Sequence, residues 1–211
     1  MDKQIAVFDF DGTLIQGDSV VALLFYARKR SCLSLSGMLK AGWYGLMYRL
    51  RLTDALTAKG HSHAFLSRMA EADRQAFLRD FAGTLTARVY KDGLAQIKKH
   101  REQGDLVVIC SASCQCYMRY VAETLGADAL LCTPSAADGT VTGPNCRGEE
   151  KVRRVREWLE QQRLPLDCIA AAYGDTAGDA PILRASRHPA LVNAKKKLRH
   201  LLPEAEQVTW Q

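Results

Sequence analysis

No stretch of the chain comes near the ~18–20 uninterrupted apolar residues that a membrane-spanning helix needs. Lys40, Arg49 and several Gly and Ser residues break the best window. The opening MDKQIAVFDF does not read as a secretory leader, because an apolar strand begins almost at once with no cleavage site behind it. The seven cysteines include no C-x-x-C pair and no suitably spaced histidines, so neither a zinc site nor a disulfide framework is expected. Internal repeats, low-complexity tracts and obvious linkers are absent as well. The expectation is a soluble chain with reduced thiols, cytoplasmic or at most peripheral to the inner face of the membrane.

The 211 residues are 47% hydrophobic and 25% charged, enough to bury a sizeable core as one domain with an insertion or as two unequal domains. A net charge of +6 and a pI of about 9.0 bias the chain toward phosphate esters, nucleic acid or an anionic membrane surface. The positive charges are spread over several helical segments without a recognition motif, so no nucleic acid partner is expected.

Four apolar runs read as buried strands: IAVFDF (5–10), LVVICSAS (106–113), CIAAAYGD (168–175) and PALVN (189–193). Between the second and third lie a helical pattern from near Cys116, a Gly/Pro-rich turn region at 138–148, and the helical EEKVRRVREWLEQQ (149–162). Strands alternating with helices predict an α/β fold with a doubly wound, mostly parallel sheet. Residues 17–88 instead carry helical periodicity in three stretches, DSVVALLFYARKR, LSLSGMLKAGWYGLMYRL and DRQAFLRDFAGTLTARV. The expected organisation is a core of residues 1–16 and 89–211 with a helical cap at 17–88. Residues 89–103 return the chain to the core, and Gly104 stops their helix.

In such a sheet ligands gather at the carboxyl ends of the strands. Those ends carry Asp9 and Asp11, Ser111 and Ser113, and Asp175 with Asp179 four residues on. A cluster of carboxylates raises its own pKa values unless a cation relieves it, and magnesium suits carboxylates, a backbone carbonyl and a phosphate oxygen. Asp9 and Asp175 are the first choices for ligands. The Asp11 carbonyl contributes, and Asp179 either ligates or orients a ligand. Asp9 and Asp11, two apart on a strand, would share a face and divide the work between nucleophile and acid/base. Ser111 and the Ala112 amide could hold a phosphoryl oxygen, and Lys151 is the balancing cation.

DFDGTL (9–14), SAS (111–113), Lys151 at the start of a helix and YGDTAGDAPIL (173–183) together resemble the four motifs of the haloacid dehalogenase superfamily, in their usual order. The phosphoserine-phosphatase-like branch, with a helical cap after the first motif, is the most similar. The resemblance implies Asp9 as nucleophile, Asp11 as acid/base, Ser111 and Lys151 as phosphoryl stabilisers, and Asp175 and Asp179 as metal-holding acids. It also implies a magnesium-dependent phosphomonoester hydrolase working through an aspartyl-phosphate. Asp18 lies where that branch carries an acidic substrate-handling residue. The substrate would be a small phosphorylated metabolite, phosphoserine-like, or a phospholipid head group such as phosphatidylglycerophosphate.

Blander readings stand beside these. Asp18 could cap the following helix, and Ser111 or Ser113 could cap the helix after the second strand. The apolar cap residues Leu24, Phe25, Tyr26, Trp43, Tyr44, Leu46 and Met47 read first as core and second as a surface for peripheral membrane contact. His61 and His63 read as exposed, and Lys195, Lys196 and Lys197 as a solvated face. The rival functions are a phosphotransferase, and a non-catalytic module binding phosphorylated ligands or anionic lipid.

Overall fold

The computed structural model describes residues 3–211. Its six strands are β1 (Ile5–Phe8), β2 (Leu106–Cys114), β3 (Ala129–Thr133), β4 (Ile169–Gly174), β5 (His188–Val192) and β6 (Glu206–Val208), in the order β3-β2-β1-β4-β5-β6. Every pairing is parallel. The central strands are apolar on both faces, as a sheet covered by helices on each side requires. Ala6, Phe8, Val107 and Ile109 enter one core, while Ile5, Val7, Val108 and Cys110 enter the other. The fold is therefore the expected doubly wound α/β sheet. β1 and β4 flank the point where the strand order reverses.

Four helices fill the segment between β1 and the return to the core: α1 (Ser19–Lys29), α2 (Leu35–Arg49), α3 (Ala55–His63) and α4 (Glu71–Thr86). The first three start where side chains cap them. Asp18 accepts from the Val20 and Val21 amides, Ser34 from Gly37, and Asp54 from Thr57. The sheet is then covered by α5 (Lys91–Glu102) and α6 (Gln115–Leu125) on one face, and by α7 (Glu149–Gln162), α8 (Ala180–Arg184) and α9 (Lys196–Leu201) on the other. This helical insertion packs on the sheet domain through α4 and α6, where Phe81 meets the Tyr117 ring edge-on at 5.4 Å.

Several sequence expectations need correction. β1 ends at Phe8, so Asp9 and Asp11 do not lie on a strand. The amides of Thr13, Leu14 and Ile15 all turn back onto the Phe10 carbonyl and curl the chain there. β2 runs on to Cys114, which leaves Ser111 and Ser113 inside it. Neither serine caps α6; the Ser135 hydroxyl accepts from the Cys116 amide instead. Helix α3 and strands β3 and β6 were not expected. The Phe25, Trp43 and Leu46 side chains are exposed rather than core, whereas Leu24 is buried.

Neither histidine is fully exposed: His61 is half-buried and His63 buried. His61 stacks on Tyr44 with ring centroids 3.7 Å apart. The His63 Nδ1 lies 2.8 Å from the Lys59 carbonyl, while Nε2 has no partner among the described residues. Burial, the main cause, pushes its pKa down to about 4, against the Lys59 carbonyl hydrogen bond, which acts upward. A depressed histidine pKa stabilises the fold fully above the unfolded value, and that contribution is lost as pH falls toward the folded one. Wild type should therefore lose on the order of 3 kcal/mol more stability than His63→Phe between about pH 6.5 and 4, measured by urea unfolding across that window.

Candidate active site

A cavity of about 720 Å³ opens at the carboxyl ends of β1, β2 and β4, lined by all the expected site residues, Asp9, Asp11, Asp18, Ser111, Ala112, Lys151, Asp175 and Asp179. The backbone brings them there without long loops. Asp9 still donates its amide to the Tyr173 carbonyl at 3.0 Å, so it is held like a further residue of the sheet. Lys151 lies in the first turn of α7, and Asp175 follows β4 directly. Gly12 turns the chain between them at φ +83°, and a Cβ there would come 2.3 Å from the Asp175 carboxylate. Only glycine meets both conditions.

Lys151 is fully buried and donates to Asp9 Oδ1 at 2.6 Å and to Asp179 Oδ1 at 2.7 Å. Burial disfavours its charge, but the two carboxylates outweigh that and hold its pKa well above the ordinary lysine value. Asp9 is pushed well up by burial and by Asp179, against the pull of Lys151. Burial also acts to raise Asp179, yet Lys151 and the Thr176 amide and hydroxyl, at 2.9 and 2.8 Å, bring it below the usual carboxylate value. Asp175 is raised to about 6 by burial and then by the Asp179 charge.

One oxygen from each of Asp9, Asp175 and Asp179 lies within 4.8 Å of the others, and Asp175 Oδ1 is buried with no hydrogen-bond partner among the described residues. An orphaned buried carboxylate oxygen facing two further acids is a donor set that fits a hard divalent cation. Asp9 and Asp179 each have one oxygen on Lys151 and the other on a threonine hydroxyl, long at 3.4 Å from Thr13 for Asp9 and 2.8 Å from Thr176 for Asp179, so Asp175 is the acid freest to ligate.

Asp11 has different surroundings. The Ser19 amide donates to Oδ1 at 2.7 Å, and the Ser19 and Ser113 hydroxyls donate to Oδ2. The Tyr117 hydroxyl extends the network, 2.8 Å from Ser19 Oγ. Burial, and secondarily the charge of Asp18, raises the Asp11 pKa to about 6 despite those donors. A carboxyl poised there can give or take a proton near neutrality. Ser19 is the first residue of α1, so the first helix of the insertion holds Asp11.

Asp18 caps α1 through Oδ1 and also lines the cavity, so the two expected placements coincide. Ser111 Oγ accepts from the Ser113 amide at 3.1 Å and lies at the cavity wall. A second, more apolar groove of about 450 Å³ shares Gly17 and Asp18 with the site and runs along α1 to Phe25 and Lys29.

Other residues of the site were not foreseen. Arg147, Asn193 and Trp210 line the cavity. Lys195 is no simple solvated lysine, for its Nζ lies 3.3 Å from Asp175 Oδ2. Lys59, from α3, reaches across from the cap to the Ala112 carbonyl, to Asn145 Oδ1 and, at 3.0 Å, to the Thr133 hydroxyl. Burial lowers its pKa. No local pattern flags it, since ALTAKGHSH has little apolar periodicity and a central glycine.

A family model described as haloacid dehalogenase-like hydrolase matches residues 6–184. The chain belongs to that family. It is 33% identical to Protein CicA of Caulobacter vibrioides (strain NA1000 / CB15N) over 200 residues, covering 85% of this chain and 81% of that one. A crystal structure of a protein of unknown function from Bordetella pertussis Tohama I superposes at a TM-score of 0.87 with 21% identity, over 99% of both chains. A phospho-aspartyl intermediate analogue of phosphoserine phosphatase superposes at 0.63 with 16% identity, over 98% of this chain and 93% of that one. The fold of this haloacid dehalogenase-like hydrolase is thus like that of phosphoserine phosphatase.

Lys59 ties cap to core through three neutral acceptors around the Ala112 backbone. Lys59→Met keeps the length of the side chain and removes those bonds. The variant should lose about 1–3 kcal/mol in urea unfolding, because three bonds from a charged donor go, while the Ala112 carbonyl keeps only the Thr133 hydroxyl.

Proposed function

We propose that this hydrolase is a magnesium-dependent phosphomonoester phosphatase that works through an aspartyl-phosphate on Asp9. The observation that carries the reading is the pair Asp9 and Asp11 facing one cavity in two unlike settings: Asp9 is held on a buried lysine beside two further acids, Asp11 among hydroxyls with a pKa near 6.

Asp9, Asp175 and the Asp11 carbonyl would hold the cation, with Asp179 as a further ligand or an orienting group. Bound magnesium would neutralise the clustered carboxylates and the charge on the phosphoryl oxygens. An Asp9 carboxylate oxygen attacks phosphorus in line, and the bond to the leaving oxygen breaks as Asp11 protonates it. Asp11 then takes a proton from water, whose oxygen attacks the same phosphorus and frees Asp9 and inorganic phosphate. Lys151, Ser111 and the Ala112 amide hold the phosphoryl oxygens through both steps. Asp18 keeps Oδ2 free of the helix cap and is the residue to meet the leaving group.

The size of the cavity and its cationic rim, Arg147 and Lys195, suit a small anionic phosphomonoester. Phosphate release should be measured on a panel of phosphoserine, other small phosphomonoesters, nucleotides and phosphatidylglycerophosphate, with magnesium or with EDTA. Release should require magnesium, vanish in Asp9→Asn and fall roughly 10²–10⁴-fold in Asp11→Asn. Full release by Asp9→Asn from the preferred substrate would sink the covalent mechanism.

A further inference from the structure

We propose that the exposed face of α2 is a docking surface through which the cap lies on an anionic lipid bilayer. Of the fifteen residues of α2, only Ala41 is buried. Leu35, Leu39, Trp43 and Leu46 on the helix, and Leu50 at its C-cap, are 48% to 66% exposed. At 3.6 residues per turn these five fall within about 80° of arc, a continuous apolar stripe on solvent. A helix that gave up burial of a tryptophan and four leucines has a partner that the isolated chain lacks.

The charges say which partner. Between Asp18 and Asp54 the chain has six cations, Arg28, Lys29, Arg30, Lys40, Arg49 and Arg51, and no carboxylate. Arg30 turns to Asp80 at 3.6 Å, while the other five pair with no carboxylate among the described residues. A second copy of this chain, docking by the same face, would set two such cationic sets against each other, which like-charge repulsion opposes. An anionic bilayer offers both halves of the match: acyl chains for the stripe, and phosphate head groups for lysine and arginine heads whose stems lie along the interface. No helix among the described residues is long and apolar enough to cross a membrane, so α2 would lie in the interfacial plane.

The test is sedimentation of the whole protein with vesicles of phosphatidylcholine alone, or with about 30 mol% phosphatidylglycerol added to give an anionic surface. Leu39→Ser/Trp43→Ser and Lys40→Glu/Arg49→Glu are compared with wild type, each checked for folding by circular dichroism. All four positions are exposed, so at least one double variant should remain folded. Wild type should bind anionic vesicles about tenfold better than neutral ones, weaken as salt rises, and lose binding in either variant. Wild type remaining in the supernatant with anionic vesicles overturns the proposal. So does a Leu39→Ser/Trp43→Ser variant that sediments like wild type, or a wild-type dimer in ultracentrifugation that this variant makes monomeric.

Discussion

The active-site architecture depends on one buried ammonium group. Lys151 stands between Asp9 and Asp179 with almost no access to water, and its charge is what lets two acids remain close together in a low-dielectric pocket. Desolvating either sign alone would be prohibitive, and the ion triad is tolerable only because each charge has its partners at hydrogen-bond distance. Asp175 is left over from this balance. Its unpartnered oxygen is the position at which the protein's own charges stop compensating one another, and a divalent cation would complete the set.

The sheet supplies the precision. β1, β2 and β4 are adjacent and parallel, so residues that follow or end them emerge side by side on one edge. Phe10, buried between Asp9 and Asp11, anchors the turn that separates the two carboxylates. One faces the lysine and the other a hydroxyl cluster, so two identical side chains two residues apart, both raised chiefly by burial, are held by different partners.

Much of this was legible in the sequence because strands buried on both faces leave uninterrupted apolar runs that end in polar residues. β1, β2, β4 and β5 were visible for that reason, and with them Asp9, Asp11, Ser111 and Asp175. β3 was hidden because ALLCT, five residues long, sits close behind a helix, and β6, the three residues EQV, has too little apolar content to register. Helix α3 escaped for lack of periodicity, and Lys59 and His63 went with it. Ser19 and Ser113 could not have been assigned to Asp11 from spacing, since their contacts span 8 and 102 residues. The exposure of Trp43 and Leu46 was misread for a different reason: helical spacing reports that an apolar face exists but not what covers it.

The reach of the lysine has a kinetic consequence. Its bond to Asp9 joins residues 142 positions apart, and its bond to Asp179 joins residues 28 apart. Contacts of such separation form only when a large loop has closed, and the entropy of that closure opposes them. The Asp9 carboxylate acquires its unusual environment only once α7 has docked with Lys151 beside the end of β1. The environment of Asp9 is thus a property of the assembled sheet and helix, and no local segment of the chain carries it.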